Sequence, residues 1–188
     1  AVASTFTRWF DKKPSVITGT LCWALCQLIP VVLRLLGWFP ENGTTELLYT
    51  LIVIKFVQGL GVVQALIAFN SMVADVVDEH ELITGLRQEG IFFSSVSFSN
   101  KMTSGIGTVA AGFALTLIDW PAGAAIQTAA DISADTIAWL GLIYGPFVSG
   151  FALVSVYCYS KYALNRNRHQ EIVSELVVLR KQRAGSVD

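Results

Sequence analysis

The stretch SMVADVVDEHELITGLRQEGIFF, residues Ser71–Phe93, gathers six charged side chains and one histidine between two long apolar runs. The whole chain has 188 residues, of which 53% are hydrophobic and only 14% are charged, and its mean hydropathy is +0.56. A soluble domain carries about 25% charged residues, because water must solvate its surface. This shortfall predicts a surface that faces lipid, with the quoted stretch as a connector between membrane spans.

Four segments are long and apolar enough to cross a bilayer core of about 30 Å, which takes about 20 helical residues. They are residues 15–37, 46–74, 91–118 and 136–160. Glycine and proline occur inside these segments, as is common in membrane helices, where small residues allow close packing. The predicted fold class is therefore an all-α integral membrane bundle, residues 1–163, followed by a tail of residues 164–188.

The basic residues predict the orientation of the spans. The connectors 38–46 and 119–135 contain no lysine or arginine, whereas ten basic residues lie at the opposite ends of the four spans. The positive-inside rule places that basic side in the cytoplasm. Both termini and the stretch Ser71–Phe93 are therefore expected on the cytoplasmic side. In the tail, Ile172, Leu176 and Leu179 share one face of a short amphipathic helix, which we expect to rest on the protein or on lipid headgroups.

Other composition features exclude several function classes. The net charge of −1 provides no basic field for nucleic acid. Cys22 and Cys26 share a helix face but have no histidine or carboxylate nearby, so a metal site is not expected. The sequence contains no serine–histidine–aspartate set and no phosphate loop, and we predict neither enzymatic activity nor a bound cofactor.

Two lysines lie deep inside predicted spans. Lys101 is about ten residues into the third span, and an unpaired ammonium there costs at least ~2.5–3.5 kcal/mol, so it should face a wet cavity or a carboxylate. Ser97, Asn100 and Ser104 lie on the same face of the helix, and Gln64 of the second span could line the same cavity. Lys55 is about 14 Å into the second span. A solute or cation cavity and a purely structural polar seam both remain open for these residues.

The charges of the quoted stretch have a spacing that suggests a gate. Asp75 and Asp78 are three residues apart and share a helix face at the cytoplasmic mouth, and Arg87 and Glu89 open the next helix after a turn at Gly85. Charges at this mouth could pair across a closed interface and separate when it opens. A plain solvated connector is the alternative.

The same stretch resembles a specific family. The cytoplasmic loop between helices ten and eleven of the glycoside–pentoside–hexuronide:cation symporters, the melibiose-permease-like branch of the major facilitator superfamily, reads like M-A-D-V-V-D-Y-x-E-x-x-T-G-x-R-x-E-G-x-F-F. Glu79 and His80 depart from that pattern in the Tyr-x stretch. The matching residues are Met72, Ala74, Asp75, Asp78, Glu81, Thr84, Gly85, Arg87, Glu89, Gly90, Phe92 and Phe93.

The resemblance covers the whole chain and implies a function. RWFDKKPSVITG resembles the connector before helix nine and RHQEIVSEL resembles the tail after helix twelve, so the four spans look like helices nine to twelve of a twelve-helix transporter. It implies uptake of a sugar with Na⁺, H⁺ or Li⁺ by alternating access, with Lys101 near the cation and solute sites. The acidic cation-binding residues of the family lie in its N-terminal half, so we expect Na⁺ or H⁺ to be bound mainly there.

We expect the chain to function as part of a larger membrane protein. Four helices are too few for two rocking halves, so we expect a C-terminal part of a transporter, with the preceding helices, the lipid bilayer and a small-molecule solute as its partners. The expected location is the bacterial inner membrane. A family relative that carries a lipid or another amphiphile, and a scaffold or sensor that kept the fold without transporting, are the alternatives.

Overall fold

The computed structural model describes residues 11–41, 43–121, 132–164 and 166–184, and within these ranges it contains helices and connections but no strand. The all-α prediction is confirmed. The α-helices in these ranges are α1 (Lys12–Leu35), α2 (Thr45–Thr84), α3 (Glu89–Leu117), α4 (Ala134–Leu142), α5 (Val148–Ser160) and α6 (Arg166–Ala184). A π-helical segment, Ile143–Phe147, joins α4 to α5 in a single rod.

Among the described residues, three helical segments are long and apolar enough to cross a membrane: Lys12–Leu35, Thr45–Thr84 and Asp135–Ser160. Helix α3, which contains nearly all of the predicted span 91–118, is also long enough to cross a membrane, with 29 residues. It is not among the three, because serine, asparagine and lysine residues interrupt its apolar sequence. Helix α2 has 40 residues and is about 60 Å long, twice the bilayer core, so one end must project beyond the membrane.

Local signals fix the ends of α2. Thr44 caps its start by accepting a hydrogen bond from the backbone N–H of Leu47 at 3.2 Å. Gly85 ends it with a φ of 75°, a left-handed conformation that glycine adopts without strain. The N–H of Gly85 donates to the carbonyl of Glu81 at 2.8 Å. The charged end of α2 is therefore continued helix, and the turn that leads to α3 begins at Gly85.

Helices α1 and α2 pack through small residues. A Cβ atom added to Gly19 would lie 2.6 Å from the carbonyl oxygen of Gly61 and 2.9 Å from the backbone nitrogen of Ala65. Only glycine lets the two backbones approach so closely. Toward the charged end, Val16, Ala68 and Met72 form a buried core against which Phe69, Tyr159 and Tyr162 pack.

The α4–α5 rod and α6 complete the packing. The π-helical segment contains Pro146, and its Gly145 sits directly against the side chain of Val31. In α6, Ile172 and Leu176 are fully buried, and the helix packs across the end of α2. None of the residues of α3 is buried, so most of its surface is available to lipid or to other helices.

Candidate functional site

A polar network lies within the membrane-spanning part of the bundle, around Lys55. The Lys55 Nζ donates to Gln58 Oε1 at 2.8 Å and to the Tyr144 hydroxyl at 3.1 Å, and it lies 5.5 Å from the centre of the Tyr144 ring. Gln58 Nε2 donates to Gln27 Oε1 at 2.9 Å. Gln27 and Gln58 are only 6% and 7% exposed. The network joins α1, α2 and the π-helical segment.

The chemistry of this network is that of an ammonium held by neutral acceptors. Lys55 and Gln58 are three residues apart on α2 and therefore share a face, while Gln27 comes from α1. The sequence singled out Lys55 but not Gln27, Gln58 or Tyr144. A glutamine three residues after a membrane lysine is a signal that could have identified Gln58, whereas the other two depend on how the helices cross.

The polar residues of α3 lie apart from this network. Lys101, Ser97, Asn100 and Ser104 are all exposed. Asn100 lines an open groove of about 410 Å³ between α1, α2 and α3, together with Trp23 and Asn70. Lys101 does not line this groove. The spans 15–37, 46–74, 91–118 and 136–160 contain one acidic residue, Glu46 at the start of the second, so none of them offers a carboxylate at the depth of Lys101.

Gln64 contacts α1, whereas Lys55 contacts its own helix, the π-helical segment and, at 3.5 Å, Gln27 of α1. Neither has a hydrogen bond to α3 among the described residues. Gln64 Nε2 donates to Thr18 Oγ1 at 3.1 Å and to the Ser15 carbonyl at 3.3 Å. The predicted cavity residues therefore lie at two separate places in the described part of the chain. Lys55 and Gln64 lie along the α1–α2 interface, and Lys101, Ser97, Asn100 and Ser104 lie on α3.

A second cluster, the charged junction, lies where α1 begins and α2 ends. It begins at Asp75, which is 4% exposed and receives the Lys12 ammonium at 2.6 Å and 2.8 Å on its two oxygens. The Tyr162 hydroxyl donates to Asp75 at 3.4 Å, and His169 Nδ1 lies 3.2 Å away. The charged junction comprises Lys12, Asp75, Asp78, Glu81, Arg87, Glu89, His169 and Arg180.

Arg87 is the centre of the other half of the charged junction. Its guanidinium contacts Asp78 at 3.2 Å, Glu81 at 3.1 Å and Glu89 at 3.2 Å. Glu81 also binds Arg180 of α6 at 2.6 Å. Three of the four predicted gate residues, Asp78, Arg87 and Glu89, are thus joined by ion pairs. The fourth, Asp75, pairs with Lys12 in the other half of the charged junction. The sequence missed Glu81 and Arg180 as members, although Glu81 is one helical turn beyond Asp78.

Proton affinities in the charged junction follow from these pairs. Glu81 lies beyond the predicted span 46–74, and its hydrogen bond from Arg180, helped by Arg87, holds the pKa of its carboxyl below the ordinary value. The hydrogen bond to Glu81 raises the pKa of Arg87. Burial, together with the charge of Asp75, raises the pKa of Tyr162, so this phenol stays neutral and donates. Within the described residues no group of three histidine, cysteine or acidic side chains could hold a metal ion.

Comparison with known proteins decides the family. The family described as "MFS/sugar transport protein" matches residues 1–166. The chain belongs to this family. As an MFS chain it belongs with transporters rather than enzymes, as the sequence predicted. No solved structure matches it.

Two curated relatives of this MFS chain are transporters by name. An uncharacterized symporter of Synechocystis sp. is 31% identical over 115 residues, which cover 61% of the chain and 19% of the relative. The "Putative 2,3-dihydroxypropane-1-sulfonate exporter" of Escherichia coli K12 is 28% identical over 170 residues, covering 90% of the chain and 33% of the relative. The chain thus spans about a fifth and a third of these relatives.

Proposed function

We propose that this chain contributes part of a secondary active transporter that moves a sugar, glycoside or related polar organic solute together with a cation by alternating access. The observation that carries the proposal is the polar chemistry inside an apolar bundle. Lys55 lies in a helix that is long and apolar enough to cross a membrane, and Lys101 lies in the predicted span 91–118. Charged groups inside a membrane are expensive unless they face a cavity or a partner. A scaffold would have no need for an exposed ammonium at that depth.

The coupling cation is proposed to be Na⁺ or H⁺, bound mainly by acidic residues of helices that precede these four in the family. The four predicted spans contain no acidic residue at the depth of Lys101 that could bind a cation there. In this arrangement Lys101 lies beside that site and responds to the charge of the cation. The proposed location is a bacterial inner membrane, with the basic ends of the spans in the cytoplasm.

The charged junction is proposed to be the cytoplasmic gate. Arg87 contacts three carboxylates at once, with distances of 3.1–3.2 Å, and Asp75 joins the starts of α1 and α6 to the end of α2. Such ion pairs can exchange partners when the helices move, because each costs little to replace by another of the same kind. Asp78→Asn and Arg87→Ala should therefore slow turnover while leaving solute binding unchanged.

An organic anion is the second candidate solute. Two ammonium groups lie in the spans, Lys55 is held only by neutral acceptors among its described contacts, and one relative is named for a sulfonate. A carboxylate or sulfonate would supply the missing negative charge. A solute with both hydroxyl groups and an anionic group would also use the amides of the groove beside Asn100.

The test is uptake by the intact transporter, reconstituted in proteoliposomes with and without an inward Na⁺ or H⁺ gradient. Melibiose and 2,3-dihydroxypropane-1-sulfonate serve as the two probe solutes. We expect gradient-dependent accumulation of one of them, and its loss in Lys101→Met but not in Lys181→Met, which removes an exposed charge from the tail. Gradient-independent equilibration would contradict symport, and equal uptake by both variants would remove Lys101 from the mechanism.

A further inference from the structure

Two arginines from different parts of the chain share one buried carboxylate. Arg180 of α6 holds Glu81 with two hydrogen bonds, Nε to Oε1 at 2.9 Å and Nη2 to Oε2 at 2.6 Å. Arg87 Nη1 reaches the same Oε2 at 3.1 Å. Glu81 is 7% exposed, so it cannot rely on water to solvate its charge. The carboxylate therefore needs at least one of these two arginines.

The two arginines do not depend on Glu81 equally. Arg180 forms a fork with both oxygens, the strongest geometry for an arginine–carboxylate pair. Arg87 takes one oxygen of Glu81 and also binds Asp78 and Glu89. While α6 is docked, Glu81 is neutralised without Arg87. Arg87 then has two other carboxylates between which it can move.

The face of α6 that carries Arg180 is built to contact the end of α2. His169, Ile172, Leu176 and Arg180 are spaced by three, four and four residues, so they lie along one face. Ile172 and Leu176 are buried at 0% and 3% exposure. His169 approaches Asp75 at one end of this face, and Arg180 binds Glu81 at the other. The tail helix is thus matched at both ends to carboxylates of the charged junction.

We propose that Arg180 is a positioning residue of the gate: by neutralising Glu81 it keeps Arg87 free to change partners. The proposal rests on the gating role given to Arg87 above. If Arg180 is lost, the buried Glu81 must retain Arg87, because a buried carboxylate without a partner is strongly unfavourable. The connector between α2 and α3 is then held shut even though α6 itself is attached less firmly.

Hydrogen exchange of the intact transporter in lipid nanodiscs tests this without any solute. In Arg180→Gln we expect exchange of α6 to become about threefold faster and exchange of the connector 85–88 to become about threefold slower. Arg180→Lys, which keeps the charge but not the fork, should fall between. Lys181→Gln removes the neighbouring exposed charge and should change neither segment. A tail that only braces the bundle predicts faster exchange in both segments, and that result would overturn the proposal.

Transport kinetics provide a second test, read as an interaction between substitutions. Arg180→Gln should lower turnover about fivefold at unchanged solute affinity, the lower end of ordinary coupling between sites. Adding Glu81→Gln should restore turnover to within about twofold, because no buried charge then holds Arg87. Equal losses in the single and double variants would overturn the proposal. If the wild type transports neither probe solute, the function proposed above fails. The role of Arg180 is still tested in that case by hydrogen exchange, because faster exchange in α6 with slower exchange in the connector 85–88 does not depend on a solute.

Discussion

The close approach of α1 and α2 at Gly19 gives the sharpest prediction about the stability of the protein. A methyl group on Gly19 would lie 2.6 Å from the carbonyl oxygen of Gly61, about 0.8 Å short of ordinary van der Waals contact. The two nearest atoms belong to the backbone and the third is the Cβ of Ala65, so no flexible side chain can move aside. Gly19→Ala must therefore push α1 and α2 apart.

The expected loss in the free energy of unfolding is the cost of separating the two helices minus the gain in helix propensity. Overpacking a close contact costs about 1–3 kcal/mol, and a separation of about 0.8 Å would also stretch the hydrogen bond between Gln58 and Gln27, which is 2.9 Å long. Alanine recovers about 1 kcal/mol at most through its higher helix propensity. Gly59→Ala on α2 is the matched control, since nothing lies within 4 Å of its added Cβ.

Reversible unfolding of the intact transporter in mixed micelles, followed by tryptophan fluorescence, provides the measurement. Trp23 lies one helical turn after Gly19 on α1 and reports on this interface. We expect the free energy of unfolding of Gly19→Ala to fall about 1–3 kcal/mol below that of Gly59→Ala. Equal free energies for the two variants would mean that α1 and α2 do not cross at Gly19 and Gly61.

Three further predictions concern the polar clusters. Lys12→Gln should lower the free energy of unfolding by about 1–3 kcal/mol, since it leaves the buried Asp75 without its ammonium. Asp75→Asn in the same chain should recover most of the loss, and no recovery would refute the pairing. Tyr144→Phe should cost about 1 kcal/mol by removing the hydroxyl that accepts from Lys55. Tyr157→Phe, whose hydroxyl has no hydrogen-bond partner among the described residues, should cost less than half of that. Because the hydrogen bond from Arg180 lowers the pKa of Glu81, the contribution of Glu81 to the free energy of unfolding is complete at neutral pH. It is lost as the pH falls through that lowered pKa, at a more acidic pH than for an ordinary glutamate. We expect the hydrogen exchange of α6, corrected for its intrinsic pH dependence, to become faster on acidification in the wild type and in the control Glu79→Gln. In Glu81→Gln, acidification should produce no further increase, because the titrating carboxylate is absent.

Much of the architecture was predictable because it depends on neighbours in the sequence. Hydropathy over about 20 residues identifies spans, and the spacing of Ile172 and Leu176 identifies the buried face of α6. Gly85 marks the end of α2 through its own backbone preference. The family followed from residues at fixed positions in one connector, Ser71–Phe93, where charge and turn residues are arranged in a diagnostic order.

By itself, the sequence determined the helical class, the membrane character and the charged connector. The tertiary structure alone decided which distant residues meet: Gln27 and Tyr144 with Lys55, Gly19 with Gly61, and Arg180 with Glu81. These contacts join residues 28 to 99 positions apart. Local periodicity carries no information about such pairs, because they depend on where two helices cross and how each is rotated about its axis. For this reason the partners of Lys55 in the second span and of Arg180 in the tail could be identified only from the three-dimensional structure.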